Sequence, residues 1–212
     1  MKRAAAVLAA LGLLVAAAFG VVAWRHRGTV AIGGPVEAGA GNAGGQRLGV
    51  GEDYSFGNVV LTNRSKSPAR LEKVRILGIT AGFQVLGVRA IPTPVVPHEV
   101  YNYLGDFGFP PSKYPSKSLA EEHVVPVAKT HDESGEPYEG LELVIGARAT
   151  QPGVARARGV EFTYRVGGRR YRRVFEGSMY LCAPKEQFPG DACPGDARGQ
   201  FGDGAAEFSV AQ

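Results

Sequence analysis

Apolar and polar residues alternate strictly from Val160 to Val166. Val160, Phe162, Tyr164 and Val166 are interleaved with Glu161, Thr163 and Arg165. A period of two puts one set on a buried face and the other in solvent, so the stretch predicts a half-buried β-strand. β-Branched and aromatic residues suit that pleated surface. Gly167-Gly168 follows, two residues that tolerate the positive φ of a type I′ turn, and Arg169–Cys182 returns as the second strand of a hairpin. A two-residue loop sets Val166 against Arg169, Tyr164 against Tyr171 and Val160 against Phe175. It also puts Arg173 on the apolar face, opposite Phe162. A bulge near Arg172-Arg173 would turn that arginine out. A three-residue loop would instead bury Val174 and leave Tyr171 outward. Both solutions fit the pattern.

Similar short patterns precede the hairpin. Tyr54–Thr62, Ala69–Leu77, Phe83–Ile91 and Leu141–Thr150 read as strands, separated by turn-forming clusters such as Asn63–Pro68 and Gln151-Pro152-Gly153. Glu122–Ala128 reads as a short edge strand, because Pro126 cannot donate to a ladder. Glu207–Val210 reads as a last short strand. Tyr101–Ser118, with three prolines and several aromatics, reads as a long surface loop. Seven or eight short strands with turns between them predict an all-β fold, a β-sandwich of immunoglobulin-like type, over residues 52–212.

The N-terminus follows another pattern. Ala4–Trp24 is 21 residues without a charge, flanked by Lys2-Arg3 and by Arg25-His26-Arg27. As a helix it is roughly 30 Å long, enough to cross a hydrocarbon core, with Trp24 at the interface. Residues 1–27 are therefore expected to be one transmembrane helix, with the remainder outside the cytoplasm. The alternative is a secretory signal cleaved after Ala16-Ala17-Ala18. Residues 28–51 contain nine glycines among 24 residues and few large apolar groups. They are expected to be a flexible linker.

Composition sharpens this picture. The 30 glycines and 14 prolines among 212 residues favour turns over long helices. The net charge of +4 comes from the membrane flanks. Lys2, Arg3, Arg25 and Arg27 account for four of the 24 basic residues, and the other 20 equal the 20 acidic ones. That balance argues against nucleic acid as a partner. Charge is nonetheless segregated along the chain: residues 154–185 are basic and residues 121–142 acidic. Either the two segments neutralise one another, or Arg165, Arg170 and Arg172 form a basic sheet face that contacts an anion.

Val59–Asn63 followed by Pro68–Val74 resembles the opening of extracytoplasmic bacterial β-sandwiches. Gly140–Gly146, Pro152-Gly153 and Val160–Tyr171 together resemble the C-terminal half of membrane-anchored or secreted proteins of high-GC actinobacteria. The resemblance covers roughly residues 52–182. It implies an immunoglobulin-like sandwich and an envelope location, and it implies no catalytic residue.

Candidate chemistry is sparse. Cys182 and Cys193 are the only cysteines, and an even count outside the cytoplasm predicts a disulfide. His98, His123 and His131 lack metal-binding spacing, and Ser178 lacks a nucleophile-elbow sequence. No catalytic, metal or cofactor residue is therefore expected. Tyr101, Tyr103, Phe107 and Phe109 are candidate partner contacts, or a cover over one end of the sandwich. The sequence thus points to a non-catalytic binding or scaffolding protein of the cell envelope, its partner an envelope protein or an anionic wall polymer. The alternative is an envelope hydrolase or metal-dependent enzyme without a recognisable motif.

Overall fold

The hairpin forms in the two-residue register. Val166 pairs with Arg169, Tyr164 with Tyr171, Phe162 with Arg173 and Val160 with Phe175. Gly167 and Gly168 both adopt positive φ, 53° and 81°, as a type I′ turn requires. The computed structural model describes residues 30–39, 44–93, 105–112, 115–129, 139–188, 193 and 202–210.

These residues form thirteen strands: β1 (Val30–Ile32), β2 (Val36–Ala38), β3 (Gly44–Arg47), β4 (Asp53–Asn63), β5 (Ala69–Ile79), β6 (Phe83–Thr93), β7 (Asp106–Phe107), β8 (Lys117–Ser118), β9 (Val124–Val125), β10 (Gly140–Ala149), β11 (Gly153–Val166), β12 (Arg169–Ala183) and β13 (Gly204–Ser209). They build two sheets. The front sheet runs β1-β12-β11-β5-β13, with β3 also paired to β12 and β9 to β5. The back sheet runs β2-β4-β10-β6-β8, with β7 also paired to β4. The fold is an all-β two-sheet sandwich.

One continuous core lies between the sheets. Phe162, Tyr164, Leu71, Val74 and Ile76 of the front sheet meet Leu61, Leu141, Leu143 and Ile145 of the back sheet, all at 2% exposure or less. At about 25 cal/mol per Å² of apolar surface removed from water, this layer is the main stabilising element.

The flexible-linker expectation fails for the described part of residues 28–51. β1 and β3 pair in parallel with β12, and β2 pairs antiparallel with β4. Val36 and Leu48 are fully buried. A glycine-rich segment can still order when existing sheet edges accept its backbone hydrogen bonds and the core accepts its few apolar side chains. The Ala4–Trp24 run lies outside the described residues. Among the described residues, no helix is long and apolar enough to cross a membrane.

The sandwich also resolves the placement of Arg173. No bulge occurs at Arg172-Arg173; the register of that hairpin shifts instead between Ala157 and Gly159. Arg173 stays on the inner side at the sheet margin. There its Nη1 donates to the carbonyl oxygens of Val36 (2.9 Å) and Gly34 (3.4 Å). On the neighbouring strand β11, the Tyr164 hydroxyl donates to the Gly33 carbonyl (2.9 Å) and accepts from the Val36 amide (3.1 Å). The turn between β1 and β2 therefore supplies the polar partners that a charged and a phenolic group need when buried.

Candidate functional site

Phe107 and Phe109 do not form a common contact surface. Phe109 lies over Gly87 and Gly146, paired glycines on the outer face of the back sheet. A Cβ at Gly146 would collide with the Phe109 ring. The same segment is tied down by Ser55 Oγ donating to the Gly108 carbonyl (2.6 Å). Arg89 donates to Ser116 Oγ (2.8 Å) and to the Ser116 carbonyl (2.5 Å). Phe107 packs edge-on against Tyr54 with ring centroids 5.7 Å apart and remains 59% exposed. Burial, with Asp106 nearby, raises the Tyr54 pKa. Part of the expected surface loop is therefore two short strands, β7 and β8, paired to β4 and β6 at opposite edges of the back sheet, with Phe109 over its outer face. Tyr101 and Tyr103 lie outside the described residues.

The outer face of the front sheet is different. Its Cys182 end is covered: Cys182 and Cys193 form a disulfide with Cα atoms 5.6 Å apart. Tyr180, Val154 and Phe188 pack around it. Arg156, almost fully buried, lies with its guanidinium 5.9 Å from the Tyr180 ring centroid.

Towards the hairpin turn the same face is open, and charged side chains stand on it in cross-strand rows. Val30, Arg170, Arg165 and Arg70 occupy one row across β1, β12, β11 and β5. The next contains Ile32, Arg172, Thr163, Lys73 and Ser209, and the third Val174, Glu161, Arg75 and Glu207. A bulge in β5 makes this arrangement possible. The register slips between Thr163 and Tyr164, so that Glu72 and Lys73 both leave the core between inward-facing Leu71 and Val74.

Each carboxylate bridges two cations. Glu72 accepts from Arg165 (3.0 Å) and Arg170 (2.5 Å). Glu161 accepts from Arg75 (3.0 Å) and lies 3.7 Å from Arg172. Glu207 pairs with Lys73 (2.7 Å) and Arg75 (3.5 Å). The structure thus brings Arg165, Arg170 and Arg172 onto one face, as the alternation predicts. Their carboxylate partners among the described residues come from β5 and β11, not from the acidic segment 121–142. Glu72, Glu161, Glu207, Lys73 and Arg75 were not anticipated there. Six cations, Arg70 included, against three carboxylates leave this face net positive.

Between β1 and β13 the face sinks into a shallow cleft of about 390 Å³. Its floor is Thr163 and Glu161, and its sides are Arg170 and Arg172 on one hand and Lys73 and Arg75 on the other. Val30 and Ile32 form an apolar margin, 41% and 82% exposed. The arrangement can hold an anion by exchanging partly exposed ion pairs, each worth under about 1 kcal/mol. It presents no nucleophile next to a base. His123 lies elsewhere, beside β9, with its Nδ1 buried and without a hydrogen-bond partner among the described residues. His98 and His131 lie outside them.

No protein-family model matches the sequence, and no curated protein matches it. Among solved structures, the ASH/PapD-like domain of human CEP192 (PapD-like domain 7) aligns over 70% of this chain and 84% of that one. The identity is 8% and the TM-score 0.33. A likeness at that level carries no argument; the sandwich stands on its own strand pairing.

Proposed function

We propose that the chain is a non-catalytic binding or scaffolding protein of the cell envelope. In this reading residues 4–24 anchor it, and an extracytoplasmic sandwich of immunoglobulin-like type presents the open front face to an anionic partner. The observation that carries the reading is the contrast in cover. The back face carries the chain's own Phe109 over its paired glycines, whereas the hairpin half of the front face is open and net positive. The resemblance to anchored actinobacterial sandwich proteins and the uncharged 21-residue run support the address.

Crosslinking in native membranes followed by pull-down tests the proposal. The expected result is an integral protein, retained after alkaline washing, that carries a specific envelope partner whose capture weakens at high salt. Release by the alkaline wash, or turnover in a hydrolase panel by the full chain, would overturn it.

A further inference from the structure

We propose that the cleft on the front face binds the phosphate of an anionic phospholipid headgroup, in the same membrane that anchors the chain. This inference rests on the anchored reading above. It adds the ligand and its position, over Thr163 between Arg172 and Lys73.

Three observations converge on this site. The first is charge and geometry. Arg172 and Lys73 both pair with Thr163, on the strands either side of it. Adjacent strands are about 4.8 Å apart, so the two backbones stand about 10 Å apart and long side chains from both reach a group above the central strand. Arg170 and Arg75 extend the same two rows. The local cations outnumber the cleft's two carboxylates, Glu161 and Glu207. Thr163 supplies a hydroxyl at the floor.

The second observation is position. Val30 and Ile32 are cleft residues, and Val30 follows Trp24 by only six positions. Six fully extended residues span at most about 20 Å. The polar headgroup layer occupies the first 5–8 Å or so beyond the hydrocarbon edge. On the anchored reading the cleft margin therefore lies within about 20 Å of the hydrocarbon edge, close enough to reach the headgroup layer.

The third is amphipathicity. Ile32 and Val30 are exposed beside the cations, and Val174 is exposed in the adjoining row. An apolar margin next to a cationic floor matches a phosphate that carries a glycerol and acyl chains. A fully hydrated small anion has no use for the margin. Glu207, on the last strand, holds Lys73 and Arg75 in the absence of lipid and is the counter-ion that the phosphate displaces.

The full chain, reconstituted in nanodiscs of phosphatidylcholine alone or with phosphatidylglycerol, tests this by amide hydrogen exchange. The phosphatidylglycerol discs are expected to slow exchange at Val30–Ile32 and Arg169–Val174 roughly tenfold, an effect lost at high salt. Lys73→Gln with Arg172→Gln should abolish the difference. Glu207→Gln should strengthen it about two- to fivefold, a gain that a misfolded variant cannot produce. Equal exchange in the two lipids overturns the inference. So does equal protection by inorganic phosphate in phosphatidylcholine discs, which would make free phosphate the ligand. Failure of the anchored reading is seen separately, as release of the chain from native membranes by alkaline wash.

Discussion

The two outer faces of this sandwich are finished in different ways. On the back sheet, paired glycines leave a flat patch, and Phe109 fills it from a segment tied down by Ser55 and Arg89. On the front sheet, the Cys182 end is closed by a disulfide and an aromatic cluster, while the hairpin end stays open. The open part is mainly charged, with exposed Val30, Ile32 and Val174 at its margin. Lys73, Arg75, Arg165, Arg170 and Arg172 each have a carboxylate neighbour there. A face needs cover only where it is apolar, so the uncovered part is the part free to meet something else.

The largest test of this contrast removes the covalent cover. Serine at both Cys182 and Cys193 opens a short loop, and chemical denaturation should show a loss of about 3 kcal/mol. A change below 1 kcal/mol would mean that the aromatic cluster alone holds that end. Next, Phe109→Ala uncovers the back face and should cost about 2–3 kcal/mol by the same measurement. Gly146→Ala should act in the same direction, because its Cβ meets the same ring. If either variant left stability unchanged, Phe109 would not be a cover.

A smaller effect comes from Tyr164→Phe, which strips a hydroxyl from the Gly33 carbonyl and the Val36 amide. Thermal unfolding should register about 1–2 kcal/mol. Burial raises the Tyr164 pKa above the ordinary value, outweighing the hydrogen bond from Val36 and the nearby Arg173, which lower it. The stability tied to the neutral phenol is therefore complete below about pH 10 and is lost as pH rises through the raised folded value. Circular dichroism through that range should show a shallower alkaline loss for the phenylalanine variant. The smallest effect belongs to Glu72→Gln, under about 1 kcal/mol, since its pairs are partly exposed. Its signature is a stronger, salt-sensitive retention on an anionic matrix; unchanged retention would show that Glu72 does not mask the arginines.

Much of the front sheet was legible. The hairpin and its Gly167-Gly168 turn follow from alternation, whereas the pairing of Tyr164 with Tyr171 was one of two registers that fit and is fixed by the strand pairing. The bulges were legible too, although the pattern was not read that way. Phe56 and Val59, Leu71 and Val74, and Val85 and Val88 are inward-facing pairs three positions apart, and the register slips at each. A spacing of three inside a period-two strand marks an extra residue. That spacing would have flagged Glu72 as turned out beside Lys73. What sequence could not disclose were β1, β2 and β3. Each is three or four residues long, and their order derives from edges contributed by β4 and β12 rather than from any pattern of their own. The charge ladder was hidden for the same reason: Glu72, Glu161 and Glu207 meet their arginines only after three separate strands align.

The pairing of β1 and β3 with β12 also sets an order of events. Arg173 and Gly34 are 139 residues apart, yet they share a hydrogen bond. Contacts of such separation form late, because the intervening loop must be closed first. During synthesis, β1 and β3 emerge well before their partner and find no edge to join until β12 has been made. The segment nearest the proposed anchor, β1, is then stitched in only once the second strand of the hairpin exists. Until that moment Leu48, whose amide bonds the Cys182 carbonyl, has no partner on β12, and the free edge of β12 is the place where another chain could pair by mistake.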